Sequence, residues 1–151
     1  VGNHIIISGD KDFKQLQTSQ YIHQYDPIQK KYIKETDPAE YLETHILEGD
    51  RSDGVPNVLS EDNCMVIGIR QGRMTQRRRD ELKGIEDRPN DKYYRNWIRN
   101  RTLIDLNFTP QGLQDQIRAH YVEYQPASKS KLMPYLMKHG MNSLTENIND
   151  F

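Results

Sequence analysis

Cysteine is almost absent from this sequence of 151 residues. The one cysteine, Cys64, excludes an internal disulfide and fits a reducing compartment such as the cytosol. No apolar run approaches the roughly 20 residues that span a membrane, and no signal-peptide pattern is present. Internal repeats and low-complexity segments are also missing. These absences predict a soluble intracellular protein that has no membrane partner.

The remaining composition describes a small and highly charged domain. Apolar residues make up 34% of the chain and charged residues 28%, so the core is modest and much of the surface is ionised. A length of 151 residues is within the usual range for one domain. The chain starts at Val1 and enters a strand almost at once. We therefore expect an N-terminal part that is cut away, disordered or a separate chain.

Charge is distributed unevenly, although the net charge is only −1. Residues 1–69 contain 6 basic and 12 acidic side chains, whereas residues 70–101 contain 11 basic and 5 acidic ones. Residues 102–151 are nearly balanced, with 4 basic and 5 acidic side chains. An acidic segment followed by a basic one is a plausible arrangement for a metal site beside a polyanion such as nucleic acid.

The β-branched run Ile5–Ile7 predicts a strand that is buried on both faces. Two carboxylates, Asp10 and Asp12, follow the end of this strand at once. Ligands of open α/β sheets collect beyond the carboxyl ends of strands, and carboxylate oxygens suit Mg²⁺ or Mn²⁺. The alternative is that Asp10 or Asp12 caps the short helix that follows. This stretch alone leaves both explanations open.

A second pair of acids follows a β-hairpin and a helix. Residues 21–34 alternate like two strands, and Asp37-Pro38 begins a helix that ends at Gly49. Asp50 and Asp53 then lie in a loop rich in glycine and proline. This loop is either part of a metal site or a solvated turn, because aspartate is common in turns.

From residue 70 the chain turns basic, and residues 75–83 are predicted to form a helix. The run is either a solvated helix face or a surface that contacts phosphates. The candidate arginines are Arg70, Arg73, Arg77, Arg78 and Arg79.

Further helices are predicted beyond this segment. A helix over residues 90–100 has three residues on its buried side: Tyr94, Trp97 and Ile98. Thr109-Pro110 begins another helix. Its predicted core positions are Leu113, Ile117, Tyr121 and Tyr124. Ser128 and Asn142 are predicted to cap the last two helices.

Four segments together resemble one family of enzymes. Residues 8–13 (SGDKDF) after a strand, and residues 47–56 (LEGDRSDGVP) at a helix end, resemble the 5′-nuclease or flap endonuclease superfamily. There, a strand ends in D-x-D and a later G-D-x-x-D motif opens a helix–three-turn–helix. Residues 103–110 (LIDLNFTP) and 140–151 (GMNSLTENINDF) are similar to the C-terminal part of the T-even-phage RNase H family. The resemblance covers essentially the whole chain.

The resemblance implies an α/β fold that is the C-terminal part of a 5′-nuclease (PIN/FEN-like) fold. Residues 1–36 would be the end of the α/β nuclease core, with a strand, a helix and a hairpin. Residues 37–69 would form a helix–three-turn–helix-like DNA-binding element. Residues 70–151 would form a mainly helical C-terminal region.

The resemblance also implies a site. Asp10 and Asp12 match D-x-D and would be catalytic, and Asp50 and Asp53 match G-D-x-x-D. Together these four acids would hold two Mg²⁺ or Mn²⁺ ions, which can activate water and stabilise the leaving oxygen of a phosphodiester. Arg51, together with the basic segment, would contact DNA.

The implied function is metal-dependent 5′→3′ exonuclease and flap endonuclease activity, with RNase H activity that removes RNA primers and 5′ flaps during DNA replication. The implied location is the cytoplasm of a bacterial host. The partners would be DNA and RNA–DNA duplexes with a 5′ end or flap, the N-terminal half of the nuclease, and a single-stranded-DNA-binding protein docked on the C-terminal helices. Because the family takes further metal ligands from the N-terminal half, this chain alone is expected to bind metal weakly and cut little.

The sequence departs from the family pattern after the second acidic pair. Gly54 stands where the family usually has asparagine, and residues 59–64 replace the expected G-x-G-x-K. These departures argue against the monovalent-cation site found in many members. Two alternatives to a nuclease stay open: a non-catalytic module that binds DNA and replication proteins, and a structural α/β domain whose acids are caps and turns.

Overall fold

A computed structural model of the chain describes residues 2–125 and 129–148. The strands are β1 (His4–Ile7), β2 (Ile22–Asp26) and β3 (Lys31–Ile33). The α-helices are α1 (Pro38–Glu48), α2 (Gln76–Leu82), α3 (Tyr94–Ile104), α4 (Gln111–Glu123), α5 (Leu132–Lys138) and α6 (Asn142–Thr145). The predicted mixed α/β class with a mainly helical C-terminal region is confirmed. None of the helices in the described ranges is long and apolar enough to cross a membrane.

The sheet has three strands in the order β1-β2-β3. β1 pairs with β2 in parallel, and β2 pairs with β3 as the predicted antiparallel hairpin. The predicted burial of β1 on both faces is wrong, because Ile5 is 54% exposed and Ile7 is 70% exposed. Within the described ranges β1 is an edge strand whose one strand partner is β2, so these side chains stay accessible.

The core of the first part of the chain lies where α1 packs against α3, with α2 and the loop after α1 beside them. Its members are Ile46, Leu47, Val55, Val58, Leu82, Ile85, Trp97 and Ile104. Trp97 is buried, as predicted for its helix, but Ile98 is 39% exposed. Successive residues on an α-helix are about 100° apart, so Ile98 faces away from the side that Trp97 buries.

A buried amide connects α3 to the end of α1. The Asn100 side chain is completely buried, and its Nδ2 donates hydrogen bonds to the carbonyl oxygens of Ile46 (2.8 Å) and Pro56 (2.9 Å). These two carbonyls lie on either side of the loop that carries Asp50 and Asp53. The core of α3 therefore fixes the position of that loop.

The chain divides into two compact units, Val1–Thr109 and Pro110–Phe151. The first unit contains the sheet and α1–α3, and the second contains α4–α6. The boundaries predicted after residues 36 and 69 both fall inside the first unit.

The segment predicted as a helix–three-turn–helix, residues 37–69, contains one helix, α1. Turns follow at residues 51–54, 58–59 and 62–68, and the next α-helix is α2. This next helix begins at Gln76, beyond the predicted boundary at residue 69.

The helices predicted for the second unit are present, but their predicted packing is partly wrong. No residue of α4 is buried. The exposed fractions at the predicted core positions are 51% for Leu113, 64% for Ile117, 79% for Tyr121 and 71% for Tyr124. Within this unit, Leu136 on α5 is 4% exposed. Asn142 begins α6 and Met141 is its N-cap, while the predicted cap Ser128 lies outside the described residues.

Candidate metal centre

The first pair of acids is positioned by the end of β1. Gln24 on β2 is completely buried, and its Nε2 donates hydrogen bonds to the carbonyl oxygens of Ser8 (2.9 Å) and Asp10 (2.6 Å). Asp10 is exposed and caps the 3₁₀ helix Lys11–Leu16 by accepting a hydrogen bond from the backbone N–H of Asp12 (3.0 Å). The capping alternative is thus realised for Asp10, and the same turn directs Asp12 towards α1.

The second pair of acids is positioned by Gly49, the last residue before the loop. Its φ of 70° and ψ of −178° lie in a region that only glycine adopts readily. A Cβ at this position would lie 2.5 Å from the carbonyl oxygen of Val55 and 2.6 Å from the carbonyl carbon of Pro56. Gly49 therefore lets the chain fold back tightly enough for Asp50 to form a β-bridge with Val55.

The side chains of Asp12, His45 and Asp50 form one cluster. His45 Nε2 lies 3.1 Å from Asp12 Oδ1 and 3.3 Å from Asp50 Oδ2. One possible ligand atom from each of the three residues lies within 4.8 Å of the other two. Since Asp12 and Asp50 belong to different predicted pairs, the fold brings one acid of each pair to the same place.

Lys11 is the counter-ion of Asp50 in this structure. Its Nζ lies 2.9 Å from each carboxylate oxygen of Asp50 and 3.2 Å from the hydroxyl of Ser52. The Asp50 side chain is 2% exposed, and its Oδ2 receives no well-aligned hydrogen bond from the described residues. A buried carboxylate oxygen held only by ionic contacts is a suitable ligand for a cation.

The two clustered acids have pKa values that shift in opposite directions. Burial raises the pKa of Asp12, against the opposing influence of His45. Burial also acts to raise the pKa of Asp50, but hydrogen bonds from Ser52 and Lys11 lower it to about 2. Asp50 is therefore ionised at neutral pH and supplies the permanent negative charge of the cluster.

Asp10 and Asp53 lie outside the cluster of Asp12, His45 and Asp50. Both side chains are exposed. The hydrogen bond to Asp50 is the main cause of the raised pKa of Lys11, and the charge of Asp53 contributes to it. Asp53 is thus near enough to add to the field around Lys11 without joining the cluster.

Two residues of the site were missed by the sequence reasoning, His45 and Tyr41. They are four positions apart on α1, which places them on one helix face, and their rings stack with centroids 5.6 Å apart. The Tyr41 hydroxyl donates a hydrogen bond to the carbonyl of Lys11 (3.1 Å). Burial, with the charges of Asp12 and Asp50, raises the pKa of Tyr41 to about 12. The i, i+4 spacing was the available signal.

The donor set of this cluster fits a divalent cation. Two carboxylates and one imidazole converge, and one buried carboxylate oxygen receives no well-aligned hydrogen bond from residues 2–125 and 129–148. Carboxylate oxygens suit Mg²⁺ and Mn²⁺, and an imidazole nitrogen suits transition metals.

Comparison with known proteins identifies the family of the chain. Residues 38–151 match the family described as "T4 RNase H, C terminal". The chain belongs to this family. Ribonuclease H of Enterobacteria phage T4 is 28% identical over 156 aligned residues, which cover 97% of this chain and 51% of the phage protein. The family resemblance inferred from the motifs is confirmed, and the chain spans about half the length of the curated relative it matches.

The arginines predicted to contact DNA in this member of the T4 RNase H C-terminal family fall into two groups. Arg51, Arg70 and Arg73 are exposed and form no ion pair within residues 2–125 and 129–148. Arg51 and Arg70 line the same surface cavity of about 400 Å³, beside Gln71. These guanidinium groups are available to an anion.

The second group is engaged with neighbouring acids. Arg77 Nε lies 2.9 Å from Glu81, and Arg78 lies 3.7 Å from the same carboxylate. Arg79 pairs with Glu48 and so connects α2 to the end of α1. These contacts fit the alternative of a charged helix face for part of the basic segment.

Proposed function

We propose that this chain is the C-terminal portion of a metal-dependent 5′→3′ exonuclease and flap endonuclease. Its substrates would be DNA and RNA–DNA duplexes with a 5′ end or flap, and its role would be removal of RNA primers and 5′ flaps during replication. Membership of the T4 RNase H C-terminal family, and the name Ribonuclease H of the phage T4 relative, support this assignment. The N-terminal half of the nuclease would be its partner.

The convergence of Asp12 and Asp50 around His45 is the observation that carries the proposal. If the acids were only caps and turns, nothing would require residues 38 positions apart to share one partly buried cluster. Asp10 does act as a cap, so its contribution to metal binding would be indirect. Asp53 would act from the exposed edge of the site, through water.

Divalent cations bound at this cluster would activate the attacking water and stabilise the leaving oxygen. Asp12 and Asp50 would hold them, with Asp50 ionised throughout the neutral range. Lys11, 48% exposed and paired with Asp50, would give up that contact to the incoming cation. Arg51, Arg70 and Arg73 would bind the phosphates of the duplex.

Metal binding by the 151-residue chain tests the proposal. Isothermal titration with Mg²⁺ and Mn²⁺ is expected to detect weak binding that is lost in Asp12→Asn and Asp50→Asn. Asp115→Asn, an exposed acid of α4, is the matched control and should bind as the wild type does. Unchanged metal binding in Asp50→Asn would support the alternative that the acids are only caps and turns. So would an Asp50→Asn/Asp53→Asn double variant that is less stable but cleaves at the full rate when the N-terminal half is supplied.

Cleavage separates the nuclease from a non-catalytic binding module. With the N-terminal half supplied, a 5′-flap substrate should be cut in the presence of Mg²⁺ or Mn²⁺, and Asp12→Asn or Asp50→Asn should reduce the rate at least a hundredfold. Duplex binding that persists while cleavage is absent under all these conditions would favour the binding module. Full-rate cleavage by the 151-residue chain alone would contradict the proposed need for the N-terminal half.

A second role, in protein binding, is favoured by the apolar face of α4. Leu113, Ile117 and Tyr121 share one side of this helix and are 51–79% exposed. A single-stranded-DNA-binding protein is the proposed partner for these C-terminal helices. In a titration with that protein, Leu113→Gln/Ile117→Gln should weaken binding without lowering the melting temperature. Equal affinity of the wild type and the double variant for the single-stranded-DNA-binding protein would contradict the proposal that this face of α4 is the binding surface.

A further inference from the structure

His45 occupies a position that hydrogen bonding to the acids does not fully explain. Its side chain is 11% exposed, its ring stacks on Tyr41, and its Nε2 faces both clustered acids. One Nε2–H can donate a well-aligned hydrogen bond to only one acceptor at a time. Asp12 accepts this contact at 3.1 Å, while the buried Oδ2 of Asp50 receives no well-aligned hydrogen bond from the described residues.

The spacing of the three groups matches that of ligands around one metal ion. With metal–ligand bonds of about 2.1 Å, adjacent ligands of an octahedral ion lie about 3.0 Å apart. The Nε2 atom of His45 lies 3.1 Å from Asp12 Oδ1 and 3.3 Å from Asp50 Oδ2. His45 Nε2 therefore already occupies the position of a third metal ligand, next to the two carboxylate oxygens. For Nε2 to bind a metal ion, the proton of the neutral imidazole must be on Nδ1.

We propose that His45 is a nitrogen ligand of the divalent cation held by Asp12 and Asp50, and that it makes this site prefer Mn²⁺-like transition metals over Mg²⁺. Imidazole nitrogen binds first-row transition metals well, whereas Mg²⁺ favours oxygen ligands and retains its water. The inference rests on the proposed metal-dependent function of the same cluster. It adds the identity of one ligand and the metal preference that this ligand imposes.

Pulsed electron paramagnetic resonance of Mn²⁺ bound to the 151-residue chain tests the ligand directly. The wild type should show modulation from a directly coordinated ¹⁴N nucleus. His45→Gln should lose the modulation, whereas His23→Gln, which removes an exposed imidazole from β2, should keep it. In parallel titrations, His45→Gln should weaken Mn²⁺ binding about tenfold and Mg²⁺ binding much less.

The outcomes distinguish failure of this inference from failure of the proposed function. Bound Mn²⁺ without ¹⁴N modulation in the wild type, but with binding lost in Asp50→Asn, would overturn the His45 ligand and leave the carboxylate site standing. Absence of bound Mn²⁺ at millimolar concentrations, or binding that survives Asp50→Asn, would overturn both. The wild-type spectrum decides the ligand question even if His45→Gln folds poorly.

Discussion

The acidic cluster and the basic segment are built in opposite ways. Asp50 is 2% exposed and is fixed in position by the turn at Gly49 and by hydrogen bonds from the Lys11 side chain and the Ser52 backbone N–H. Arg51, Arg70 and Arg73 are exposed and form no ion pair among the described residues. A divalent cation needs ligands that are fixed at short distances, whereas the phosphates of nucleic acid can be bound by exposed basic side chains that are not held in one position.

This difference predicts two kinds of mutational behaviour. Changes around the cluster should act through folding and geometry, because its residues adjoin the core of the first unit: His45 precedes Ile46 in α1, and Asp50 forms a β-bridge with Val55. Substitutions of the arginines should change the salt dependence of DNA binding and leave the fold intact.

Gly49→Ala should give the largest loss of stability. The new Cβ would meet the carbonyl group of Val55 at 2.5 Å, in a backbone conformation that alanine avoids. Together, the strain and the clash should cost on the order of 3 kcal/mol in the free energy of unfolding. Urea denaturation followed by circular dichroism measures this loss.

Gly54→Ala is the matched control for Gly49→Ala. Its φ is 76°, but a Cβ there would meet no atom within 4 Å, so only the backbone strain of roughly 1 kcal/mol applies. Equal losses in the two variants would contradict the claim that close backbone packing positions Asp50.

Asn100→Ala should give the next largest loss, since it removes the amide that joins α3 to both sides of the acidic loop. The carbonyl of Ile46 would lose a buried donor, while Pro56 would keep its hydrogen bond from Arg99. The expected cost is about 2 kcal/mol in the free energy of unfolding. Asn107→Ala, at an exposed position of the 3₁₀ helix Leu106–Phe108, should cost much less in the same urea titration. If both variants lose the same small amount, the buried amide does not hold the loop.

Much of the first unit was predictable because its signals are local. The hairpin, the start of α1 at Asp37 and its end at Gly49 follow from turn, capping and glycine patterns, and all are present. The pairing of Asp12 with Asp50 was predictable only through the family motifs, since no local rule joins residues so far apart. His45 was missed because its role depends on that long-range convergence.

The errors have a physical cause as well. Ile5–Ile7 and the apolar face of α4 have the right spacing for burial, but spacing does not establish what lies opposite. Within the described residues β1 has a strand neighbour on one side, and no residue of α4 is buried. Likewise, the charge of an arginine can be read from the sequence, but its ion-pair partner cannot. The paired arginines Arg77–Arg79 could therefore not be distinguished from Arg70 and Arg73, which are unpaired in the part of the chain that the structure describes.

The two groups of arginines should differ in their effect on duplex binding. Replacing Arg51, Arg70 and Arg73 with glutamine should reduce the slope of log affinity against log salt by about 2–3, because each free guanidinium releases roughly one counterion. Replacing Arg77, Arg78 and Arg79 should change the slope less, since Glu81 and Glu48 already neutralise them. Fluorescence anisotropy at several salt concentrations measures both slopes.

Equal slopes in the two triple variants would mean that the surface ion pairs open at no cost when DNA binds. An unchanged slope in both would remove the basic segment from the interface. Either result would also weaken the contrast between free and engaged arginines.

The smallest expected effect concerns Asp62, an acid of the turn region that pairs with α3. Arg99 lies 2.5 Å from its Oδ1, Arg95 pairs with its Oδ2, and hydrogen bonds from Arg95 and Arg99 lower the pKa of Asp62. Because the pKa is lower in the folded state, the stabilisation is complete above the ordinary aspartate value of about 4 and is lost as the pH falls below it.

Asp62→Asn should therefore melt slightly below the wild type at pH 6, and the two melting temperatures should converge towards pH 2. Since the side chain is 46% exposed, 1 M NaCl should shrink the difference at pH 6. A difference that persists unchanged at pH 2 would show that Asp62 acts through packing of the turn. Asp62 would then stabilise the turn by its fixed position, as the residues around Asp50 do, and not by a screened surface charge.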